Sequence, residues 1–208
     1  MAKCGPFEKE PVRYEEWFEE NRFAYESELL AVRGELPQGA GVEIGAGSAR
    51  FAGPLGIKIG LEPSARMREL ARKRGVLMID GVAESLPFLD GSLDFALMVT
   101  VICFLDDVDK AFKEACRVLK PGGRLIIGFI DRESPLGRVY LERKNGSVFY
   151  RDATFYSTEE VLSRLEKAGF RRFKVIQTIF HDPRGLKAAE PAKDGYGQGL
   201  FVVINAGK

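Results

Sequence analysis

The sequence is poor in the residues that build metal centres and disulfide frameworks. Its 208 residues include three cysteines, none in a C-x-x-C pair, and a single histidine, His181. We therefore expect neither a bound metal ion nor a disulfide framework. There is no apolar run near the ~20 residues of a membrane-spanning helix, and the N-terminus lacks a signal-peptide pattern. These absences favour a cytoplasmic protein that does not act at a membrane.

An excess of either charge is also missing. The chain has 31 basic and 30 acidic residues, for a net charge of +1. A nearly neutral protein is not built to bind nucleic acid or an anionic membrane through its overall charge. Hydrophobic content of 45% and charged content of 29% are ordinary for a globular protein. The length suits one domain over residues 1–208, and it leaves monomer and homodimer open.

Strand and helix patterns alternate along most of the chain. An amphipathic helix is predicted at 12–33, and residues 132–156 are expected to form an irregular loop. Only nine residues, 48–56, separate the first two strands, which leaves room for a crossover helix of about two turns. Alternating strands and helices with two adjacent strands last predict a doubly wound α/β fold. The predicted strands are 41–45, 57–62, 76–80, 93–101, 124–130, 173–180 and 200–204.

A glycine turn follows the first predicted strand, in the sequence G-V-E-I-G-A-G at 41–47. Glycines at 45 and 47 let the backbone approach a ligand without a Cβ in the way, and Glu43 is placed to hold a cationic amine. The second strand ends on Glu62, an acid that can accept both hydroxyls of a ribose. A dinucleotide fingerprint would need a third glycine where Arg50 stands. The pattern predicts a nucleoside cofactor, with a purely structural turn as the alternative.

Four motifs together resemble the class I S-adenosylmethionine-dependent methyltransferases, specifically the type 11 methyltransferase family. They are the glycine turn, G-V-A-E-S-L-P-F at 81–88, D-G-S-L-D-F at 90–95, and R-V-L-K-P-G-G at 117–123. The resemblance implies a Rossmann-like fold with a mostly parallel seven-stranded sheet and an antiparallel last strand. It also implies an N-terminal lid helix in 1–38, a cofactor-binding half at 39–131, and a substrate loop with closing elements at 132–208.

The same resemblance implies S-adenosyl-L-methionine as cofactor, S-adenosyl-L-homocysteine as product and no metal. Its methionine end would lie on Glu43 and the glycine turn, its ribose on Glu62 and its methyl near Thr100. Val82 stands where many relatives have an aspartate for the adenine, so that contact would pass to Glu84 or to backbone. The implied cofactor-binding residues are Glu43, Gly45, Ala46, Gly47, Glu62, Pro63, Ser64, Ala83, Glu84 and Thr100.

The resemblance implies methyl transfer to a small-molecule acceptor, and an alcohol or ammonium acceptor must lose a proton to a base. Asp131 and His181 are the candidates for that base, with a loop cap and a turn residue as the alternatives. Tyr14 and Trp17 resemble an aromatic lid, although core packing explains them as well. Cys103 either faces the acceptor or packs in the core.

Aromatic residues in the loop 132–156 suit a small apolar acceptor or a cationic amine held by cation–π contacts. The sequence does not select nitrogen, oxygen, sulfur or carbon as the acceptor atom. The candidate acceptor-binding residues are Tyr14, Trp17, Cys103, Tyr140 and Phe155. Three other functions remain open: a non-catalytic module that senses S-adenosylmethionine or its product, an RNA or protein methyltransferase, and a nicotinamide oxidoreductase.

Overall fold

A computed structural model describes residues 3–208, so residues 1 and 2 of the expected lid segment 1–38 lie outside the described part. One sheet of eight strands forms its centre, in the order β3-β2-β1-β4-β5-β8-β6-β7. Its strands are β1 Gly41–Ile44, β2 Ile59–Leu61, β3 Leu77–Ile79, β4 Leu93–Val99, β5 Leu119–Ile130, β6 Arg171–Thr178, β7 Lys193–Asp194 and β8 Phe201–Gly207.

Strands β1 to β5 pair in parallel, whereas β8 runs antiparallel between β5 and β6. The predicted doubly wound α/β fold with an antiparallel last strand is confirmed. The eighth strand, β7, is a two-residue addition at the edge of β6. Helices surround the sheet: α1 Gly5–Lys9, α2 Pro11–Glu20, α3 Arg22–Glu35, α4 Ala52–Leu55, α5 Ala65–Lys73, α6 Val108–Val118, α7 Pro135–Arg143 and α8 Thr158–Ala168.

Both faces of the sheet are buried, which explains the continuous apolar run of β4. Phe95, Leu97 and Val99 pack into the core layer beside α2, α3 and α4. Ala96 and Met98 alternate with them and pack into the opposite layer, beside α6 and α8. Successive side chains of a strand point to opposite faces, so a strand covered on both sides must be apolar throughout.

The N-terminal region is helical but is not the single helix predicted at 12–33. It is divided at Asn21, whose φ of −112° and ψ of 39° leave the helical region. The Asn21 side chain donates to the carbonyl of Trp17 at 2.9 Å, a local hydrogen bond that competes with the helix backbone. A further short helix, α1, precedes them.

Two predictions about connections differ from the structure. The segment 132–156 is not wholly irregular, because Ser134 caps α7 by accepting from the Gly137 amide and Pro135 occupies its first turn. The crossover after β1 is shorter than two turns, since α4 has four residues and ends at Gly56 with a φ of 75°. By contrast, the capping box of Ser157 and Glu160 at the start of α8 is confirmed. Within residues 3–208 no helix is both long and apolar enough to cross a membrane.

We expect Gly128→Ala to destabilise the fold by about 1–3 kcal/mol, because it overpacks the sheet. A Cβ on Gly128 in β5 would lie 2.5 Å from the ring of Phe201, which is fully buried. Urea unfolding measures the loss. Gly34→Ala is the matched control: a Cβ there meets nothing within 4 Å. In helix α3 it should stabilise the protein by about 0.5–1 kcal/mol. Equal effects of the two changes would contradict the packing of Gly128 against Phe201.

Candidate active site

A cavity opens where the carboxyl ends of the parallel strands meet. Residues that directly follow β1, β2 and β4 line it, namely Gly45, Glu62 and Thr100. Ligands of open α/β sheets bind outside this edge. The unfilled space amounts to about 1330 Å³, including the part open to solvent. The cavity is therefore partly open to solvent at this edge of the sheet.

The glycine turn after β1 has the geometry that its sequence predicts. Gly45 and Gly47 have φ values of 67° and 52°, a conformation that favours glycine. A Cβ on Gly45 would lie 2.5 Å from Val101, and one on Gly47 would lie 3.1 Å from the Tyr14 hydroxyl. Neither position accepts a larger side chain without displacing a neighbour.

Hydrogen bonds join this turn to the end of β2. The Gly45 and Ala46 amides both donate to the Leu61 carbonyl, at 2.7 and 3.0 Å. Glu62, which comes next, accepts from the Gly47 amide at 3.0 Å and from the Ser64 amide at 2.8 Å. Burial raises the pKa of Glu62, and the two backbone hydrogen bonds act in the opposite direction.

Glu43 does not lie where the sequence analysis expects it. Its carboxyl is 2% exposed, is not part of the cavity wall and accepts from the Ala52 amide at 2.7 Å, at the start of α4. Burial raises its pKa to about 8, so the group is largely uncharged at neutral pH. In the structure the Glu43 carboxyl therefore holds the start of the short crossover helix. Ala46 is also buried away from the cavity wall.

The far end of the cavity is lined by Pro63 and by the segment after β3, including Val82, Ala83 and Glu84. The Glu84 carboxylate accepts from the Asp106 and Asp107 amides at 3.0 and 3.2 Å, so it fastens the chain that follows β4. Ser64 lies outside the wall. Its hydroxyl caps α5 by accepting from the Met67 amide and donates to Glu8.

Two branched residues on the cavity wall have strained backbones. Thr100 follows β4 with a φ of 52°, and Ile179 follows β6 with a φ of 64°. A left-handed conformation at a β-branched residue costs about 1–3 kcal/mol and persists where the surrounding structure enforces it. Such strain is concentrated at functional sites, which supports this edge of the sheet as the site.

Neither candidate base reaches the cavity. Asp131 follows β5 and is 1% exposed, but its carboxylate accepts from the Glu133 amide and from the Thr158 hydroxyl, each at 3.0 Å. These hydrogen bonds join the turn at 131–134 to the start of α8. Asp131 therefore has the position of a loop cap, the alternative to a base in the sequence analysis. His181 lies on the surface, with 79% of its side chain exposed, and contacts Glu190. Neither residue is part of the cavity wall.

The residues expected to bind the methyl acceptor fall into two groups. Tyr14, Trp17 and Tyr140 line the cavity, together with Phe149 and Tyr150. Phe155 and Cys103 are buried behind it. Burial raises the pKa of the Cys103 thiol to about 12, and its sulfur lies 3.5 Å from the Thr100 carbonyl. Cys103 is therefore a core residue.

The N-terminal helices cover the cavity. The ring of Phe7 in α1 contacts Tyr14 of α2, Phe104 after β4 and Phe149 after α7, with ring centroids 5.0 to 5.7 Å apart. Glu15 of α2 forms ion pairs with Arg50 and Arg74 beneath it. Phe7 is a wall residue that the sequence analysis did not identify.

A second missed residue is Glu28 of α3, whose carboxyl is 6% exposed and lines the cavity. Burial raises its pKa to about 8. A signal for it was present in the sequence. The buried positions of α3 follow helical spacing, and Glu28 falls on that stripe four residues after Ala24 and three before Ala31. An acid at the centre of a stripe with helical spacing indicates a buried carboxyl.

Comparison with known proteins identifies the family. The chain is 58% identical to a protein from Thermotoga maritima whose crystal structure is described as an S-adenosylmethionine-dependent methyltransferase, possible histamine N-methyltransferase. That match covers 99% of both chains, with a TM-score of 0.97. The chain belongs to the S-adenosylmethionine-dependent methyltransferases. S-adenosylmethionine is therefore its methyl donor, and the resemblance seen in the motifs is confirmed.

Further comparisons found a matching family model and two more relatives. A family model described as a methyltransferase domain matches residues 42–127. An uncharacterized protein of Methanocaldococcus jannaschii is 46% identical over 97% of this chain and 98% of its own length. A ubiquinone/menaquinone biosynthesis C-methyltransferase of Brucella canis is 36% identical over 50% of this chain and 48% of its own.

The stability of the methyltransferase should fall as pH rises from about 5 to 8. Over this range folded Glu43 keeps a proton that the unfolded chain has lost, so rising pH favours unfolding. Glu43→Gln keeps an acceptor for the Ala52 amide. It should reduce the dependence of the free energy of unfolding on pH by up to ~1.4 kcal/mol per pH unit. Chemical denaturation at several pH values measures it, and Glu20→Gln on the exposed side of α2 is the control. A slope unchanged by Glu43→Gln would mean that Glu43 is ionised in the folded protein.

Asp131→Asn should lower stability by about 1–3 kcal/mol, because the Glu133 amide and the Thr158 hydroxyl lose a charged acceptor for their hydrogen bonds. Methyl transfer by the folded variant should remain within twofold of the wild type. Urea unfolding and initial rates measure the two effects, with Asp152→Asn at an exposed position as control. A hundredfold loss of turnover at unchanged stability would restore Asp131 as the base.

Proposed function

We propose that this methyltransferase acts on a small-molecule acceptor, with the cofactor and the acceptor enclosed in the same cavity. One observation carries the proposal: the glycine turn, Glu62 and the aromatic rings of Tyr14 and Tyr140 all line one continuous space. In this arrangement the methionine end of the cofactor lies over the Gly45–Gly47 turn and its adenine lies against Val82 and Ala83.

Glu62 suits the ribose because its carboxylate is only partly used. A carboxylate has about four lone-pair positions, and backbone amides occupy one on each oxygen. The two remaining positions match the two adjacent hydroxyls of a ribose. One oxygen of the Glu84 carboxylate accepts from both the Asp106 and Asp107 amides. Its other oxygen and the backbone of the 81–84 segment are left for the adenine.

The cover over the cavity supports a small acceptor. Phe7, Phe149 and Tyr14 pack against one another above the glycine turn, which leaves little room for a polymer to lie across it. The net charge of +1 likewise offers no broad basic surface for RNA. The Thermotoga maritima relative, described as a possible histamine N-methyltransferase, supports a nitrogen acceptor.

When bound, S-adenosylmethionine supplies an electrophilic methyl group on a sulfonium. The protein's contribution is then to hold an acceptor atom about 3 Å from that methyl, in line with the bond that breaks, and to exclude water. The strained Thr100 backbone and the N-terminal helices are the parts that perform this positioning.

Glu62→Ala should weaken binding of S-adenosylhomocysteine at least tenfold. The variant loses charge-assisted hydrogen bonds, each worth about 1.5–3 kcal/mol, and a tenfold change corresponds to ~1.4 kcal/mol. Isothermal titration calorimetry gives the affinity without turnover.

Glu69→Ala is the matched control, since this α5 carboxylate is exposed and pairs with Arg66 at the surface. It should bind the product like the wild type. An unaltered affinity in Glu62→Ala would remove the ribose assignment. Absence of methyl transfer to any member of a panel of small amines, alcohols and thiols would count against the proposed acceptor class.

A further inference from the structure

Glu28 differs from the other buried carboxyls of the described chain in having no hydrogen-bond partner. Glu43, Glu62 and Asp131 each accept from backbone amides. Glu35, seven residues further along α3, binds Lys174 at 2.5 Å and Asn205 at 3.2 Å. Within residues 3–208, burial is the one influence on the pKa of Glu28, with no cation near enough to lower it. A buried carboxyl without a partner is costly unless a ligand supplies one.

The Glu28 carboxyl is open to the cavity. The residue lines the cavity wall. Its carboxyl oxygens are not among the enclosed atoms without a partner, so they reach open space. Its side chain therefore reaches the same cavity that the glycine turn and Glu62 line. The Tyr14 hydroxyl lies beside the glycine turn, 3.1 Å from where a Cβ on Gly47 would lie, and Tyr14 is also within electrostatic range of Glu28.

Tyrosines are the titratable side chains that lie within electrostatic range of this carboxyl. The titratable groups that sense its charge are Tyr14 of α2, Tyr25 of α3, Tyr140 of α7 and Tyr150, and none of them is a cation. Tyr14, Tyr140 and Tyr150 line the cavity with Glu28. One carboxylate among aromatic faces is the arrangement that recognises an organic cation, through an ion pair and cation–π contacts.

We propose that Glu28 binds the acceptor, and that the acceptor is a small primary or secondary amine seated between Glu28 and the rings of Tyr14, Trp17, Tyr140 and Tyr150. This inference rests on the proposed function and adds to it the acceptor class and the residue that selects it. An alcohol or thiol would leave the carboxyl without a countercharge.

Glu28 also accepts the proton that an amine must lose. An ammonium has no lone pair, so one proton passes from its nitrogen to a carboxylate oxygen of Glu28. The freed lone pair forms the N–C bond as the C–S bond breaks, and that electron pair stays on sulfur. The product is an N-methylammonium, and Glu28 later releases its proton to solvent. Burial alone raises the pKa of Glu28 to about 8, and an ammonium beside the carboxyl favours its ionised form, so Glu28 is charged with the amine bound and takes up a proton as the amine loses one.

The test compares matched probes in the presence of S-adenosylhomocysteine: 2-phenylethylamine against 2-phenylethanol, and histamine as a second amine. By calorimetry the wild type should bind at least one amine ten times more tightly than 2-phenylethanol. Glu28→Gln, which preserves shape, should lose that preference and keep its affinity for S-adenosylhomocysteine. Glu28→Asp should recover part of it. With an amine that turns over, kcat of Glu28→Gln should fall at least a hundredfold.

Glu26→Gln, which breaks a surface pair with Arg22 on the same helix, is the control and should behave as the wild type. A wild type that binds S-adenosylhomocysteine but prefers no amine would overturn the inference and leave the cofactor site intact. So would a Glu28→Gln variant with unchanged amine preference, while an unchanged kcat would overturn its proton-accepting role. Failure of the wild type to bind S-adenosylhomocysteine would instead contradict the proposed function itself.

Discussion

The site depends on two hydrogen bonds from the Gly45 and Ala46 amides to the carbonyl of Leu61. They fasten the turn that follows β1 to the last residue of β2. As a result, the residue after Leu61, Glu62, lies against the Gly47 amide at the open edge of the sheet. Parallel pairing of β1 with both β2 and β4 brings Thr100 to the same edge. The proposed cofactor site thus follows from strand register and a turn that only glycine forms without strain.

The buried carboxyls have different roles because their surroundings differ. Glu43 satisfies an amide at the start of a one-turn helix and is held uncharged by burial. Glu62 keeps two backbone hydrogen bonds and faces the cavity. Asp131 closes a turn and joins it to α8. Glu28 faces the cavity with no partner of its own. Among carboxyls of similar burial, the one without a hydrogen-bond partner indicates where a ligand binds.

Much of the fold could be predicted because its signals are local. The apolar run of β4, the capping box of α8 and the glycine turn each depend on neighbouring residues in the chain. The errors arose where a local signal was weak or ambiguous. Asn21 interrupts a long amphipathic pattern without altering its periodicity, and α7 begins with a Ser-Pro pair inside a segment of irregular composition.

The doubly wound sheet and the glycine turn can be predicted from the order of residues alone, because periodicity and backbone requirements are local, and the methyl donor follows from the motifs that resemble the family. The positions of four side chains become known from the folded protein: Glu43 faces α4, Asp131 and His181 lie outside the cavity, and Glu28 lines it. The direction and partner of a carboxyl depend on elements far apart in the chain. For Glu28 those elements are α2 and α7, which meet α3 only in the folded protein.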